Sequence, residues 1–526
     1  MTARHQQRTL GHTLVSNAAA NLGGQGLLLL LTFFSTPYVT RHFGPSLYGV
    51  LVLLVTYVET FNLLNLGIYT GLLKYVSELL PQGKMDEVER YFGSGFTLFG
   101  GGGILIGVIG AVCARPIVYH LMNIPIALRP EVVLAFHIAT AAFVLRFLAQ
   151  PFAAMPFAVQ RFDVAAAISV GGEAVRIAVW VLMIFLGHYL IAALLVTLGV
   201  NAASLAANVL ATRWLIPGIS LRPRWSPAHA RSVFHYSKYV LVGQVTGRVV
   251  NSADVGILGK FQPVSAVAFY GIPYTIGYKM WTLMGNVASV VFPAASALSG
   301  AGQTAQLREL YCRATKLVAG MGILIASVLV VYGREVLLYW LGPVFAVHGA
   351  IAFRLLIAAF WLNSLQHVPY AVLQSTGRVQ LTARFAVVYA IGNVFMFFLL
   401  IPRFGVNGAA GGFLITQMLT IPWLIHTCNS CVAVKGTTVF VRAWVRVLIV
   451  TGFSGLFAFV LKPWISSLLT LMCAIAAVLL ASAAVALVLI LDKPERAACW
   501  SVLKQWIPLF GRPQEPSLPQ MDTDER

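Results

Sequence analysis

Long apolar segments, separated by short polar stretches, recur along almost the whole chain. A membrane-spanning helix needs roughly 20 consecutive, mostly apolar residues. The connections are short and marked by Pro and Gly, as in Phe43-Gly44-Pro45. The pattern therefore predicts an all-α, polytopic membrane protein with 14 transmembrane helices and no separate soluble domain. The predicted spans are 14–37, 47–71, 91–114, 132–151, 164–187, 189–213, 234–258, 266–291, 316–341, 346–371, 380–401, 407–428, 443–462 and 466–491.

The composition agrees with a membrane protein and explains the basic balance. The 526 residues are 59% hydrophobic and 10% charged, with a net charge of +19, whereas soluble proteins carry about 25% charged residues. An even number of spans places both termini on one side. Most of the 36 Lys and Arg residues fall on that side, and Lys and Arg concentrate in cytoplasmic loops. We therefore expect a multi-pass protein of the bacterial inner membrane with both termini cytoplasmic, and no nucleic-acid partner. Seven basic residues lie on the opposite side: Arg41, Arg115, Arg129, Lys260, Arg334, Arg403 and Lys462.

An internal repeat divides the first twelve spans into two halves. Phe43-Gly44-Pro45 precedes the second span and Tyr48-Gly49 opens it. Phe261-Gln262-Pro263 and Tyr270-Gly271 hold the same places at the eighth span. Two halves of the same orientation predict a pseudo-two-fold axis along the membrane normal, with the substrate site between them. The predicted units are a six-helix bundle, a basic cytoplasmic linker, a second six-helix bundle, two added transmembrane helices and a cytoplasmic tail. Their bounds are 1–214, 215–233, 234–428, 443–491 and 492–526.

The basic linker 215–233 has two interpretations. It either fixes the orientation of the chain in the membrane or binds anionic lipid head groups.

Seven ionisable residues within the predicted spans are candidates for a functional site. Each costs roughly 2.5–3.5 kcal/mol at the centre of a helix in lipid, so we expect them to face an internal wet cavity or to pair with one another. Polar side chains follow some of them at helical spacing, as Gln244 and Asn251 do on the seventh span. The seven residues are Glu59, Glu173, Arg176, Arg248, Asp254, Lys279 and Arg354.

Four of these residues leave alternatives open. Glu173 and Arg176 are three residues apart and can neutralise each other on one helix face. Arg354 is near one end of its span and can extend to the interface. Asp254 is near the outer end of its helix, where water can solvate it. The remaining excess of cations favours an anionic substrate such as a diphosphate, because Arg forks onto phosphate oxygens and Lys acts as a point charge.

Short motifs in a fixed order give the chain a family resemblance. They are Phe43-Gly44-Pro45 with Tyr48-Gly49, Leu66-Gly67, Lys74-Tyr75-Val76-Ser77-Glu78, Asp254, Tyr270-Gly271 and Phe292-Pro293. Over residues 10–490 the chain resembles the multidrug/oligosaccharidyl-lipid/polysaccharide exporter superfamily, specifically its Wzx-type polysaccharide flippases. The resemblance implies two six-helix bundles in a V, often with two added helices. It also implies a monomer that moves undecaprenyl-diphosphate-linked oligosaccharide by alternating access, coupled to an ion gradient or to the membrane potential.

The residues and the resemblance together give a mechanistic hypothesis. The expected substrate-binding residues are Arg248, Lys279, Arg176, Arg354, Asn251 and Gln244, and the expected ion-coupling residues are Glu59, Asp254 and Glu173. Polysaccharide assembly proteins are candidate partners. We expect no catalytic residue, cofactor or metal, because Cys428-Asn429-Ser430-Cys431 has no second pair of ligands nearby in the sequence.

Three other functions remain open on sequence grounds. A drug or cation antiporter of the same superfamily would require a net acidic cavity. A lipid II flippase would suit a large cationic cavity as well. A membrane glycan polymerase or ligase is the competing enzyme class, but the longest external loop, 115–131, offers one carboxylate and one His without a recognisable catalytic arrangement.

Overall fold

The computed structural model describes residues 3–61, 65, 68–159, 161–222, 224–233, 252–434 and 445–489, with side chains from residue 26 onward. Regular secondary structure in these ranges is helical throughout. The α-helices are α1 Ala3–Thr60, α2 Ile68–Leu79, α3 Met85–Pro116, α4 Arg129–Ala158, α5 Phe162–Phe185, α6 Leu190–Leu215, α7 Val264–Ala288, α8 Val291–Gly300, α9 Thr304–Leu341, α10 Pro343–Ser364, α11 His367–Ser375, α12 Val379–Val432, α13 Val445–Leu461 and α14 Leu468–Leu489.

Eleven helices in the described part of the chain are long and apolar enough to cross a membrane, which confirms the predicted class. Helix α1 contains the first predicted span and the first part of the second, joined at Gly44 (φ 66°), and α12 contains the eleventh and twelfth, joined at Gly405 (φ 55°). Glycine adopts such positive φ without a Cβ clash, so each expected loop is a kink. The predicted seventh span, 234–258, lies mostly outside the described residues, which resume as helix at 252–261.

Two spans predicted as continuous are divided in the structure. The second, 47–71, is divided between α1 and α2, and the tenth, 346–371, between α10 and α11. The eighth, 266–291, ends close to the end of α7 and is followed by the additional helix α8. Pro293 and Pro369 lie in the first turns of α8 and α11. Proline is tolerated there because the first N–H groups of a helix have no intrahelical acceptor. Pro293 therefore begins a new helix instead of ending the eighth span.

The same packing arrangement occurs on both sides of the linker. In the first half α4 packs against α3 and α6, and in the second half α10 packs against α9, α7 and α12. The added helices α13 and α14 pack together and against α9. Lys462 Nζ lies 3.2 Å from Glu335 Oε1 and ties the turn after α13 to α9. The helices of each half thus enclose space between equivalent spans.

The two halves meet at the glycines of the repeated motifs. A Cβ atom on Gly49 would overlap the carbonyl group of Val264 at the start of α7, and one on Gly271 would lie 3.4 Å from a Val52 methyl group. Both contacts are at the predicted outer ends of the second and eighth spans. The two Tyr-Gly motifs therefore allow the halves to approach each other closely where the spans begin.

The basic linker is held against the N-terminal end of α3. Glu89 accepts hydrogen bonds from the Ser220 backbone N–H at 2.9 Å and from Arg224 Nη1 at 3.2 Å. His229 Nε2 lies 2.8 Å from Glu87 Oε2. The acidic first turns of α3 thus fix the linker to the first half, and binding of lipid head groups there stays a prediction.

Candidate substrate-binding cavities

A cavity of about 580 Å³ lies within the first half, between α1, α4, α5 and α6. We call it the first-half cavity. Apolar side chains from all four helices make up much of its wall, and the polar groups project from them at helical spacing. The charged and amide-bearing lining residues are Glu59, Arg146, Gln150, Glu173, Arg176, Asn201 and Asn208.

One ion pair crosses this cavity from α1 to α4, between Glu59 and Arg146. Glu59 is 19% exposed and Arg146 is 52% exposed, so the carboxylate is enclosed and the guanidinium reaches the open space. A carboxylate in a membrane interior needs such a partner.

Arg146 is the one charged cavity residue absent from the sequence-based set. It lies inside the predicted span 132–151, so the cost of a charge in lipid is the signal that identifies it. Arg146 is also close to the predicted end of that span, where a long side chain can extend to the interface. The sequence alone therefore does not distinguish a cavity residue from an interfacial one at this position.

A second ion pair lies along α5. Arg176 Nε donates to Glu173 Oε2 at 2.9 Å, and the guanidinium lies 4.6 Å from the centre of the Trp180 ring. Trp180 Nε1 in turn donates to the carbonyl of Ala193 at 2.7 Å, which fixes the ring under the cation. Glu173 and Arg176 therefore neutralise each other and also line the cavity, so both interpretations of this pair agree with the structure.

Amide groups hold the cavity wall near the break in the second span. Asn65 Nδ2 donates to Gln150 Oε1 at 3.1 Å, and Asn65 Oδ1 accepts from the Tyr69 N–H at 3.2 Å. Asn201 Nδ2 donates to the Ala142 carbonyl at 2.8 Å. These bonds satisfy backbone groups at the start of α2 and join α2, α4 and α6 around the ion pairs.

The charges of this cavity balance within the described residues. Its two arginines face two carboxylates, so the cation excess expected from the sequence is not found here. An Arg–carboxylate pair can nevertheless exchange its carboxylate for phosphate oxygens, since both present the same bidentate geometry to the guanidinium.

A cavity of about 480 Å³ occupies the equivalent place in the second half, between α7, α10, α11 and α12. We call it the second-half cavity. Neutral amide and hydroxyl groups form a network in its wall. Asn363 Nδ2 lies 2.9 Å from both Tyr389 Oη and Gln417 Oε1, and Gln366 Nε2 donates to Asn363 Oδ1 at 2.7 Å. Among the described lining residues there is no Asp, Glu, Lys or Arg.

Asp254 lies apart from both cavities. It is only 1% exposed, so the expectation that water solvates it is wrong. Its Oδ2 accepts a hydrogen bond from the Tyr270 hydroxyl at 2.7 Å, and its Oδ1 accepts one from the Val255 N–H at the same distance. The start of α7 covers this helix end through the Tyr270 side chain.

The structure brings neither Lys279 nor Arg354 into either cavity. Lys279 is exposed on α7, and Arg354 is half-buried beside Gly333 of α9. Neither lines the two cavities. Gln244, Arg248 and Asn251 lie outside the described residues, so their roles stay predictions.

This fold is that of a multi-pass membrane transporter. Its helices superpose on the lipid II flippase MurJ in an inward closed conformation with a TM-score of 0.70, covering 90% of this chain and 98% of that one at 11% identity. An inward-facing multidrug resistance MATE transporter of the MOP superfamily gives a TM-score of 0.66 over 77% of this chain and 95% of that one at 13% identity. At these identities the likeness concerns the fold.

The chain belongs to the family of polysaccharide biosynthesis proteins, which matches residues 38–348. A low-salt glycan biosynthesis flippase assigned in Haloferax volcanii is 28% identical over 46% of this chain. The alignment spans about half of that relative, 52% of its length. A protein assigned as the O-antigen transporter of Shigella flexneri is 19% identical over 78% of this chain and 97% of its own. The resemblance stated from the sequence motifs is confirmed.

Proposed function

We propose that this protein is a flippase that moves undecaprenyl-diphosphate-linked oligosaccharide from the cytoplasmic to the outer leaflet of the bacterial inner membrane. The observation that carries the proposal is the pair of Arg–carboxylate contacts in the first-half cavity. Charged side chains inside a membrane protein are costly, and where they occur they usually mark a substrate or ion pathway. The assigned functions of the two relatives described above support the same class of substrate.

The diphosphate binds by exchange at the two arginines. Arg146 and Arg176 release their carboxylates and turn their guanidinium forks to the phosphate oxygens. Glu59 and Glu173 then lose their contacts with the two guanidinium groups. Substrate binding and ion binding at these carboxylates therefore support each other in this scheme, and Glu59 and Glu173 couple transport to an ion gradient.

Alternating access follows from rocking of the two halves. Gly49 against Val264 and Gly271 against Val52 hold the halves together at the predicted outer ends of the spans. Separating these contacts and closing the predicted cytoplasmic side would expose the cavities outward. An inside-negative membrane potential assists the outward movement of a negative charge by roughly 2.3 kcal/mol per 100 mV. The polyprenyl chain stays in the bilayer throughout.

A strain lacking the gene tests this proposal. We would complement it with wild type, with Arg146→Ala plus Arg176→Ala, or with Arg161→Ala, and quantify surface polysaccharide and the lipid-linked repeat unit in the cytoplasmic leaflet. Arg161 is the matched control because it pairs with Asp163 at 2.9 Å without lining the first-half cavity. We expect the double variant to accumulate the repeat unit inside while Arg161→Ala behaves as wild type.

Normal surface polysaccharide and no accumulation in the deletion strain would contradict the proposal. Sensitivity of that strain to cationic dyes would then favour an antiporter, and loss of viability on depletion would favour a lipid II flippase.

A further inference from the structure

The second-half cavity offers recognition chemistry that a diphosphate does not require. Its volume of about 480 Å³ lies in the range of roughly 300–1,000 Å³ that is usual for small-molecule sites. Its wall combines aromatic rings with neutral amides, and the described lining residues include no acidic or basic side chain other than His367. An anionic group would find no guanidinium or ammonium partner there.

Aromatic rings form one continuous wall of this cavity. The rings of Tyr278 and Trp281 stack with centroids 5.5 Å apart and planes 27° from parallel. Trp281 also lies 4.8 Å from the His367 ring, at 38°, and His367 contacts the Trp281 carbonyl at 3.2 Å. A broad, fixed aromatic surface packs well against the C–H faces of sugar rings, because the negative faces of the rings attract weakly positive hydrogens.

The hydrogen-bonding groups around this wall match hydroxyl groups. Trp281 Nε1 is buried and has no acceptor among the described residues, which is a costly state for a donor. Gln366 is half-buried at the cavity edge, and its amide is held by Asn363. Sugar hydroxyls both donate and accept, so they can serve an unpaired indole N–H and the amide groups at once.

The position of Trp281 in the repeat strengthens this interpretation. It lies eleven residues after Tyr270, and Glu59 lies eleven residues after Tyr48. The two residues therefore hold equivalent places in the two cavities. Where the first half presents a carboxylate bound to an arginine, the second half presents an indole ring with a free donor.

We propose that the second-half cavity binds uncharged sugar residues of the lipid-linked glycan while the first-half cavity holds the diphosphate. This assignment rests on the proposed flippase function. The sugars that fit are neutral hexoses, deoxyhexoses or N-acetylhexosamines, because an acidic sugar would lack a cation here. The aromatic wall supplies stacking, and Trp281 Nε1 supplies a hydrogen bond.

Binding of two lipids to the purified full-length protein in nanodiscs tests this assignment. The probes are the glycan-bearing lipid accumulated by the deletion strain and undecaprenyl diphosphate without sugar. We expect Trp281→Ala to weaken binding of the glycan-bearing lipid by about tenfold and binding of the bare lipid by less than about twofold. Trp281→Phe keeps a stacking face but loses the N–H, so we expect a loss of about threefold.

Trp464→Ala is the matched control, because Trp464 is 76% exposed in the turn after α13 and should leave both affinities unchanged. Thermal unfolding of each variant reports whether the bundle is intact. Should Trp281→Ala fail to fold, Trp281→Phe and Gln366→Leu provide the same comparison of the two lipids.

The outcomes separate this assignment from the proposed function. Wild type that binds neither lipid refutes both. Wild type that prefers the glycan-bearing lipid, together with Trp281 variants that keep the full preference, refutes only the sugar site. Equal losses for both lipids would show that the cavity holds the polyprenyl chain instead.

Discussion

The two cavities occupy equivalent places in the repeat but differ in chemistry. The first is lined from the second, fourth, fifth and sixth spans, and the second mainly from the eighth, tenth, eleventh and twelfth. One contains two Arg–carboxylate pairs, and the other contains an aromatic wall with a neutral amide network. A duplicated scaffold can therefore keep its packing while each half recognises a different part of one amphiphilic substrate. Four predictions examine this difference, from the largest expected effect to the smallest.

The Glu59–Arg146 pair tests whether the charged cavity acts through charge. Arg146→Gln should reduce transport by about thirtyfold or more, since it removes a substrate ligand and takes the arginine partner away from Glu59. Glu59→Gln combined with Arg146→Gln should restore thermal stability but not transport. Surface polysaccharide and the unfolding midpoint are the two measurements. Recovery of transport in the double variant would mean that the pair is only structural.

A carboxylate placed in the neutral cavity tests whether the two chemistries are separate. Trp281→Glu puts an acid at the position equivalent to Glu59, but no arginine faces it among the described lining residues. We expect transport to fall by about tenfold, with a lower unfolding midpoint, because an unpaired charge is costly in this cavity. Trp281→Gln introduces an uncharged side chain of about the same size as Glu, so this variant should have a higher unfolding midpoint than Trp281→Glu. Equal behaviour of the two variants would show that charge is tolerated in both cavities.

Buried and accessible amides should differ in their effect on stability. Gln417 is fully buried and bonds both Asn363 and the Tyr389 hydroxyl. Gln417→Leu should lower the free energy of unfolding by about 1–3 kcal/mol, because a buried partner loses its hydrogen bond. Gln150→Leu is the matching variant in the first-half cavity, where Gln150 is half-buried. Its effect on the free energy of unfolding should be smaller, because water can replace the lost hydrogen bond. Thermal unfolding in detergent measures both, and an equal loss would contradict the difference in burial.

Much of the fold could be predicted from the sequence, because a spanning helix leaves a long apolar signal. Glu59, Glu173 and Arg176 could be identified as candidate site residues in a similar way, because a charge in an apolar segment carries a large cost. Arg146 illustrates the limit of that argument. Near the end of a span a long basic side chain can reach the interface, so only the fold reveals its partner.

The neutral cavity could not be predicted from the sequence in this way. Asn363 and Gln417 are polar but uncharged, and such residues recur through the spans. They lie 54 positions apart in the sequence, and only the packing of α10 against α12 brings their amides together. The sequence also does not predict α8 as a separate helix. A proline marks either the end of one helix or the first turn of the next, and the sequence alone does not choose between these.

Lys279 gives the smallest expected effect and the sharpest test of where the diphosphate binds. Its side chain is exposed on α7, near Thr275 and Asn286 on the same helix face, and it lines neither cavity. Lys279→Ala should therefore change transport by less than about twofold, as for an exposed cation screened by water. Adding Arg248→Ala extends the test to the face of the predicted seventh span. A combined loss of transport as large as that of Arg146→Gln would indicate that the diphosphate binds in the space between the halves and not in the first-half cavity. The second-half cavity would then bind sugar, and the charges of the first-half cavity would serve only ion coupling.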